Sequence, residues 1–235
     1  MKVPPAARGY FVTGTDTGVG KTLLACVLLR TFSAHGIRAV GMKPVASGAT
    51  SGDDGLVNDD VLALEAASNV TAPRELTNPY CFKPAIAPHI AAHEAGVTIS
   101  LTRLRSAYQE LTRRADCVVV EGAGGFRVPL GPRFDMGDLA VALQLPVILV
   151  VGLRLGCINH ALLSAHAVRA CNLHIAGWIA NHIDRNMARV DENVSAIAER
   201  IGAPMIARVP FFAVPDAASV MCEISFERLC ATASS

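Results

Sequence analysis

Residues 10–22 read YFVTGTDTGVGKT, and this stretch decides how the chain folds. An apolar strand from Tyr10 to Thr13 runs into a glycine-bearing turn. The turn ends in Gly20-Lys21-Thr22 at the head of a long helical pattern, which is the layout of a phosphate-binding loop. Backbone N–H groups must approach several oxyanions closely, and Gly14, Gly18 and Gly20 permit this because they carry no Cβ. The helix behind the loop adds unpaired N–H donors and the positive end of its dipole. Lys21 is expected to reach the β- and γ-phosphates and the Thr22 hydroxyl to hold Mg²⁺. The strict G-x-x-x-x-G-K-[ST] spacing would place a glycine at position 15, where this chain has Thr15, with Gly14 one residue early.

Of the 235 residues, 51% are hydrophobic and 17% charged, which predicts a large core in one α/β domain spanning 1–235 rather than disorder. Residues 1–8, with Pro4 and Pro5, are expected to form a loose tail. The net charge of +1 gives no reason to expect nucleic acid or an anionic membrane as partner. No apolar run reaches the ~18 residues of a membrane span, and the N-terminus lacks an apolar stretch of signal-peptide length, so a cytoplasmic location is expected. Seven scattered cysteines without C-x-x-C pairs read as reduced thiols. His89 and His93 have i, i+4 spacing but no third ligand, and no G-x-S-x-G elbow is present.

Outward from the loop, the helix from Gly20 to His35 places Leu24, Val27, Leu28 and Phe32 on one face, with Gly36 as its stop. A strand from Arg38 to Met42 runs into Lys43-Pro44-Val45-Ala46-Ser47-Gly48. Pro44 imposes a bend that leaves Lys43 and Ser47 in a loop at a strand's carboxyl end, the edge where open parallel sheets bind ligands. Residues 49–58 read as loop. Asn58 or Asp59 caps a helix through Ser68, with Asp60 in its first turn. By itself Asp60 is a dipole-favoured acid, and beside a phosphate loop it becomes a metal-ligand candidate. Residues 71–97, with Pro73, Pro79, Pro84 and Pro88, are expected to be an irregular insert serving substrate binding or a subunit contact.

A helix is expected from Thr98 to Arg114, then a buried strand 117–120 ending in Glu121-Gly122-Ala123-Gly124-Gly125. A carboxylate leaving a central strand beside a glycine turn is either a Mg²⁺- or nucleophile-facing acid or a polar strand terminus. A helical pattern over 137–143 and a strand over 147–151 precede Gly156, which opens a helix to about Cys171 and offers a second anion site at its start. Strand 175–180 ends at Asn181-His182, helix 190–201 follows, and strand 205–209 ends at Pro210-Phe211-Phe212. The alternation predicts six or seven parallel strands joined by right-handed crossovers.

The motifs together resemble the dethiobiotin synthetase family, over almost the whole chain and in the family's order. They are GTDTGVGKT at 14–22, MKPVASG at 42–48, VEGAGG at 120–125, PVILVVG followed by LGCINH at 146–160, and GWIAN at 177–181. The resemblance implies a P-loop NTPase-like three-layer α/β/α fold with a mostly parallel sheet of about seven strands, and a homodimer. It implies that CO₂ is joined to 7,8-diaminopelargonic acid with ATP and Mg²⁺, through a carbamate and a mixed carbamic-phosphoric anhydride, to give dethiobiotin, ADP and phosphate. Matched position by position, Thr17, Gly18, Val19, Gly20, Lys21 and Thr22 would cradle the triphosphate, with Gly122, Ala123 and Gly124 beside them. Thr22, Asp60 and Glu121 would hold Mg²⁺. Lys43 would stabilise the carbamate and the moving phosphoryl group, and Ser47 would bind the diamine end. Asn181, His182, Pro210, Phe211, Phe212 and Asp216 would meet the base. The substrate carboxylate would sit at the partner's helix start, Gly156, Cys157, Ile158 and Asn159. Gly18 departs from the acid often found there in the family, and the Phe211–Pro215 segment is one residue shorter than in some relatives. The rival reading, a regulatory ATPase of the partition or cell-division type, resembles GKGGVGKT and wants a lysine where this chain has Asp16.

Overall fold

Val118-Val119-Val120 and Ile148-Leu149-Val150 are apolar on every consecutive side chain, which suits strands covered on both faces. All six are fully buried. The computed structural model describes residues 9–53, 55–213, 217–220 and 226–227. In chain order it forms β1 (Gly9–Gly14), α1 (Lys21–Ala34), β2 (Ala39–Met42), β3 (Val45–Ser47), β4 (Thr50–Gly52), β5 (Gly55–Val57), α2 (Asp59–Ala67), α3 (Arg74–Thr77), β6 (Tyr80–Phe82) and α4 (Pro88–Glu94). It continues with α5 (Leu101–Thr112), β7 (Cys117–Gly125), α6 (Met136–Leu143), β8 (Val147–Leu153), α7 (Cys157–Ala170), β9 (Ile175–His182), α8 (Val190–Ile201), β10 (Met205–Val209) and α9 (Ala217–Val220).

Six strands form one sheet in the order β10-β9-β8-β1-β7-β2, every neighbouring pair parallel. Helices cover both faces. On one, Leu24, Val27, Leu28 and Phe32 of α1 and Leu64 of α2 pack on Tyr10, Val12, Val119 and Ile148. On the other, Leu104 and Leu111 of α5, Leu139 of α6, Val168 of α7 and Ile197 of α8 pack on Phe11, Val118, Val120 and Leu149. The expected α/β/α layering is therefore present, with six strands in the sheet. After β1 the chain passes to β2 and back to β7 on one side, then crosses to β8 on the other. This reversal opens a crevice at the carboxyl ends of β1, β7 and β8, the position where such sheets take ligands.

Some local expectations need correction. The loop expected after Lys43 contains β3, which pairs in parallel with β6. The loop expected over 49–58 holds the β4–β5 hairpin. The insert expected to be irregular carries α3, β6 and α4. Elements of three or four residues between prolines are too short to show a period, and tertiary pairing decides them. The helix expected from Thr98 starts at Leu101 because the Ser100 hydroxyl caps it, accepting from Arg103 N–H at 3.3 Å. Strand β7 does not stop at Glu121 but continues to Gly125. The N-terminal tail over 1–8 lies outside the described residues.

Candidate active site

The loop between β1 and α1 turns on two left-handed glycines, Gly18 at φ 73° and Gly20 at φ 91°, conformations that other residues adopt only with strain. Gly20 meets a second constraint: a Cβ there would lie 2.3 Å from Asn181 Nδ2. That amide, at the end of β9, donates to the Val19 carbonyl at 2.8 Å and holds the loop against the sheet. Val19 sends its side chain into the core, leaving only its backbone for a phosphate cradle. The Lys21 ammonium folds back on the loop and donates to the Asp16 carbonyl at 2.8 Å. Burial, helped by the charge of Lys43 and opposed by the nearby carboxylates, pushes its pKa down to about 8.

Below the loop, Thr22 Oγ1 lies 2.8 Å from Asp60 Oδ1 and 2.9 Å from Glu121 Oε1, its one proton serving either acceptor. Lys43 leaves the end of β2 and donates to the same two carboxylates, at 2.9 Å to Asp60 Oδ2 and 2.5 Å to Glu121 Oε1. The Lys43 backbone is fixed on both sides, its N–H donating to Thr77 O at 2.7 Å and its carbonyl accepting from Asn78 Nδ2 at 2.7 Å. Burial works against the Lys43 charge, but Glu121 and Asp60 outweigh it and hold the ammonium above the ordinary lysine range. Burial pushes the Asp60 carboxyl up, and the charge and hydrogen bond of Lys43 more than reverse this. Glu121 is fully buried, and that burial raises its pKa against the pull of Lys43. The 2.5 Å contact to an ammonium nevertheless makes this a charged pair.

Asp60 owes its place to Asn58. The Asn58 side-chain oxygen accepts from Asp60 N–H at 3.1 Å and Val61 N–H at 3.4 Å, capping α2, while its amide donates to Ser47 O at 3.2 Å. Asn58→Ala should lower folding stability by about 1 kcal/mol in urea denaturation, the usual loss for an N-cap. An unchanged midpoint would show that the cap contributes nothing.

These groups line one cleft of about 710 Å³. Thr17, Gly18, Gly20, Lys21, Thr22, Lys43, Ser47, Asp60, Glu121, Ala123 and Gly124 all face it, so most of the sequence-derived triphosphate and metal candidates share one cavity. Ser47 Oγ is buried and has no hydrogen-bond partner among the described residues. Val45, Ile86, Pro88 and Val128 add an apolar wall, and its residues at 86 and 88 come from the insert whose local structure the sequence hid. Gly122 faces Phe11 and stays outside the lining. Asn181, His182 and Pro210 to Phe212 gather at the carboxyl ends of β9 and β10, with the His182 ring edge-on to Phe211 at 6.0 Å. Asp216 lies outside the described residues. Gly156 opens α7 in a left-handed conformation at φ 94°, with Cys157 buried and Asn159 exposed. None of residues 156–159 lines the cleft.

Sequence reading missed one contact. The Arg154 guanidinium pairs with the Asp16 carboxylate, clasping the tip of the loop to the turn before α7. A hydrogen bond from Thr17 N–H, aided by Arg154, holds the Asp16 carboxyl below the usual range although partial burial opposes it. The partners are 138 residues apart, and no local pattern links them. The donor set at the cleft floor fits Mg²⁺, a hard cation that takes carboxylate and hydroxyl oxygens. Glu121 also keeps a second, buried oxygen, Oε2, without a hydrogen-bond partner among the described residues.

Fold and site together define a phosphate-binding-loop protein, and the AAA domain family matches residues 8–218. A ParA family ATPase from Chlorobium tepidum superposes with a TM-score of 0.55 at 17% identity, covering 97% of each chain. The MinD cell division protein of Aquifex aeolicus does so at 0.54 and 16%, covering 97% of this chain and 96% of its own. At such identities the likeness concerns the fold alone. Relatives in sequence are much nearer. The ATP-dependent dethiobiotin synthetase BioD of Nitrosospira multiformis is 55% identical over 204 residues, 87% of this chain and 88% of that protein. Its counterpart in Aromatoleum aromaticum is 53% identical over 213 residues, 91% and 95% of the two chains. The chain belongs to the ATP-dependent dethiobiotin synthetase family.

Proposed function

We propose that the chain carboxylates and cyclises 7,8-diaminopelargonic acid with CO₂ and ATP, giving dethiobiotin, ADP and phosphate. The observation that carries this reading is the convergence of Lys21, Lys43, Thr22, Asp60 and Glu121 with the unpartnered Ser47 hydroxyl in one cleft. Phosphoryl transfer depends mainly on positioning and charge neutralisation. The loop N–H groups and the α1 start bind the β- and γ-phosphates, and Lys21 leaves the Asp16 carbonyl to meet the transferred group. Thr22, Asp60 and Glu121 would hold Mg²⁺, which when bound supplies further neutralisation of phosphate charge. Lys43 faces the carbamate made from one amine and stabilises charge as that carbamate is phosphorylated. Ser47 orients the other amine for ring closure with loss of phosphate. Asn181, His182 and residues 210–212 form the side of the site where the base would rest.

The test is phosphate release with ATP and bicarbonate, with and without the diamine. Release that depends on the diamine and yields dethiobiotin supports the reading, and release indifferent to it would favour a regulatory ATPase. Against that second reading, the position that such ATPases fill with lysine is Asp16, already paired with Arg154.

We further read the enzyme as a cytoplasmic homodimer. The described cysteines 26, 81, 117, 157 and 171 are free thiols, in keeping with a reducing compartment. A nine-carbon substrate places its carboxylate roughly 8–10 Å from its amines, too far for the loop donors to hold both ends. The start of α7 at Gly156 to Asn159 is the other anion site, and the partner would supply it. Lys21→Gln and Gly156→Pro should each be strongly impaired, the second because proline cannot adopt the left-handed conformation of Gly156. After subunit exchange the mixture should regain part of the wild-type activity. No recovery, with folded heterodimers demonstrated, would place the carboxylate within one chain.

A further inference from the structure

Lys21, Lys43, Asp60 and Glu121 form a cluster of two cations and two anions with no net charge. Within it, the Lys43 ammonium bridges the same two carboxylates that, with Thr22, make up the proposed Mg²⁺ donor set. Both cations cannot occupy that position. Mg²⁺ needs octahedral oxygens at about 2.0–2.1 Å, and an ammonium donating to those carboxylates both blocks the approach and repels the ion.

We propose that Lys43 is the resident counter-ion of the metal site, and that arrival of Mg²⁺ with the nucleotide displaces its ammonium toward the Ser47 end of the cleft. This rests on the metal and substrate assignments above and adds an order to them. Glu121 is fully buried, and a buried carboxylate without a counter-charge is strongly disfavoured, so the nucleotide-free protein needs a cation there. Lys43 supplies it from a backbone pinned by Thr77 and Asn78, leaving its flexible four-carbon stem as the part that moves. Mg²⁺ alone would add two charges to a neutral cluster, whereas a metal–triphosphate complex brings its own negative charge. The lysine that meets the carbamate thus becomes free only once the phosphoryl donor is in place.

The test uses Mn²⁺ as a paramagnetic stand-in for Mg²⁺, read by electron paramagnetic resonance on nucleotide-free protein. Lys43→Gln should bind Mn²⁺ at least about tenfold more tightly than wild type, because the competing ammonium is gone. Mg²⁺ alone should also raise the Tm of the variant and leave that of wild type unchanged. Equal or tighter Mn²⁺ binding by nucleotide-free wild type would overturn the proposal. Should Lys43→Gln not fold, wild type decides alone. Capture of Mn²⁺ only when a non-hydrolysable ATP analogue is added supports displacement, and equal capture without the analogue overturns it. Neither measurement involves the diamine or turnover, so this idea can fail while diamine-dependent phosphate release stands.

Discussion

Lys21→Gln should lower kcat/KM for ATP by about a hundredfold, the loss of roughly 3 kcal/mol that follows removal of one preorganised charge from a developing phosphoryl transition state. The fold should not suffer. Lys21 is 6% exposed, and burial pushes its pKa down to about 8, so the charge costs stability where it sits. Glutamine removes that cost, and the Tm of the variant should equal or exceed that of wild type. Steady-state kinetics with ATP as the varied substrate, beside a thermal melt, check both halves. Wild-type kcat/KM in a folded Lys21→Gln protein would remove Lys21 from the reaction.

Glu121→Ala should fail in the opposite way, losing fold and function together. Its carboxylate is the fully buried member of the pair with Lys43, and deleting one partner of such a pair typically costs about 3–5 kcal/mol, because the other is left buried with too little counter-charge. Here Asp60 remains as partial compensation, but its side chain is 43% exposed and it accepts at 2.9 Å. A fall in the urea midpoint is therefore expected, together with loss of diamine-dependent phosphate release at limiting Mg²⁺. Glu121→Gln keeps the volume and removes the charge, so comparing the two variants separates cavity from electrostatics. Full activity of Glu121→Ala at limiting Mg²⁺ would show that this acid is not a metal ligand.

The phosphate loop, Lys43 after β2 and Glu121 in the middle of β7 were legible in the sequence because each follows an apolar run and precedes a residue that bends or frees the backbone. Pro44 marks the first exit, and the glycines after Glu121 mark the second. The helix at 21–34 was legible from its apolar stripe, and Leu24, Val27, Leu28 and Phe32 are buried as that spacing requires. The apolar wall of the cleft was not legible, since Ile86 and Pro88 sit in a stretch whose short elements exist only through the pairing of β3 with β6. Nor was the arrangement of charges. Lys43, Asp60 and Glu121 could each be assigned a separate partner in a bound ligand, but only the assembled fold brings the lysine onto both carboxylates. The Asp16–Arg154 clasp was hidden for the same reason, its halves meeting across the top of two adjacent strands.

The tether from Asn181 to the Val19 carbonyl makes the end of β9 and the phosphate loop a single mechanical part. On the proposed reading, in which Asn181 meets the base, a change at position 181 that alters nucleotide selectivity would also slacken the phosphate loop. Glycine at position 20 is required twice over, by its left-handed backbone and by the Asn181 amide that a methyl group there would meet, so replacing Asn181 would remove only one of the two constraints. On the same reading base preference is better varied at Phe211 and Phe212, which lie beyond β10 and show no hydrogen bond to the loop among the described residues, and libraries aimed at a different nucleotide belong there.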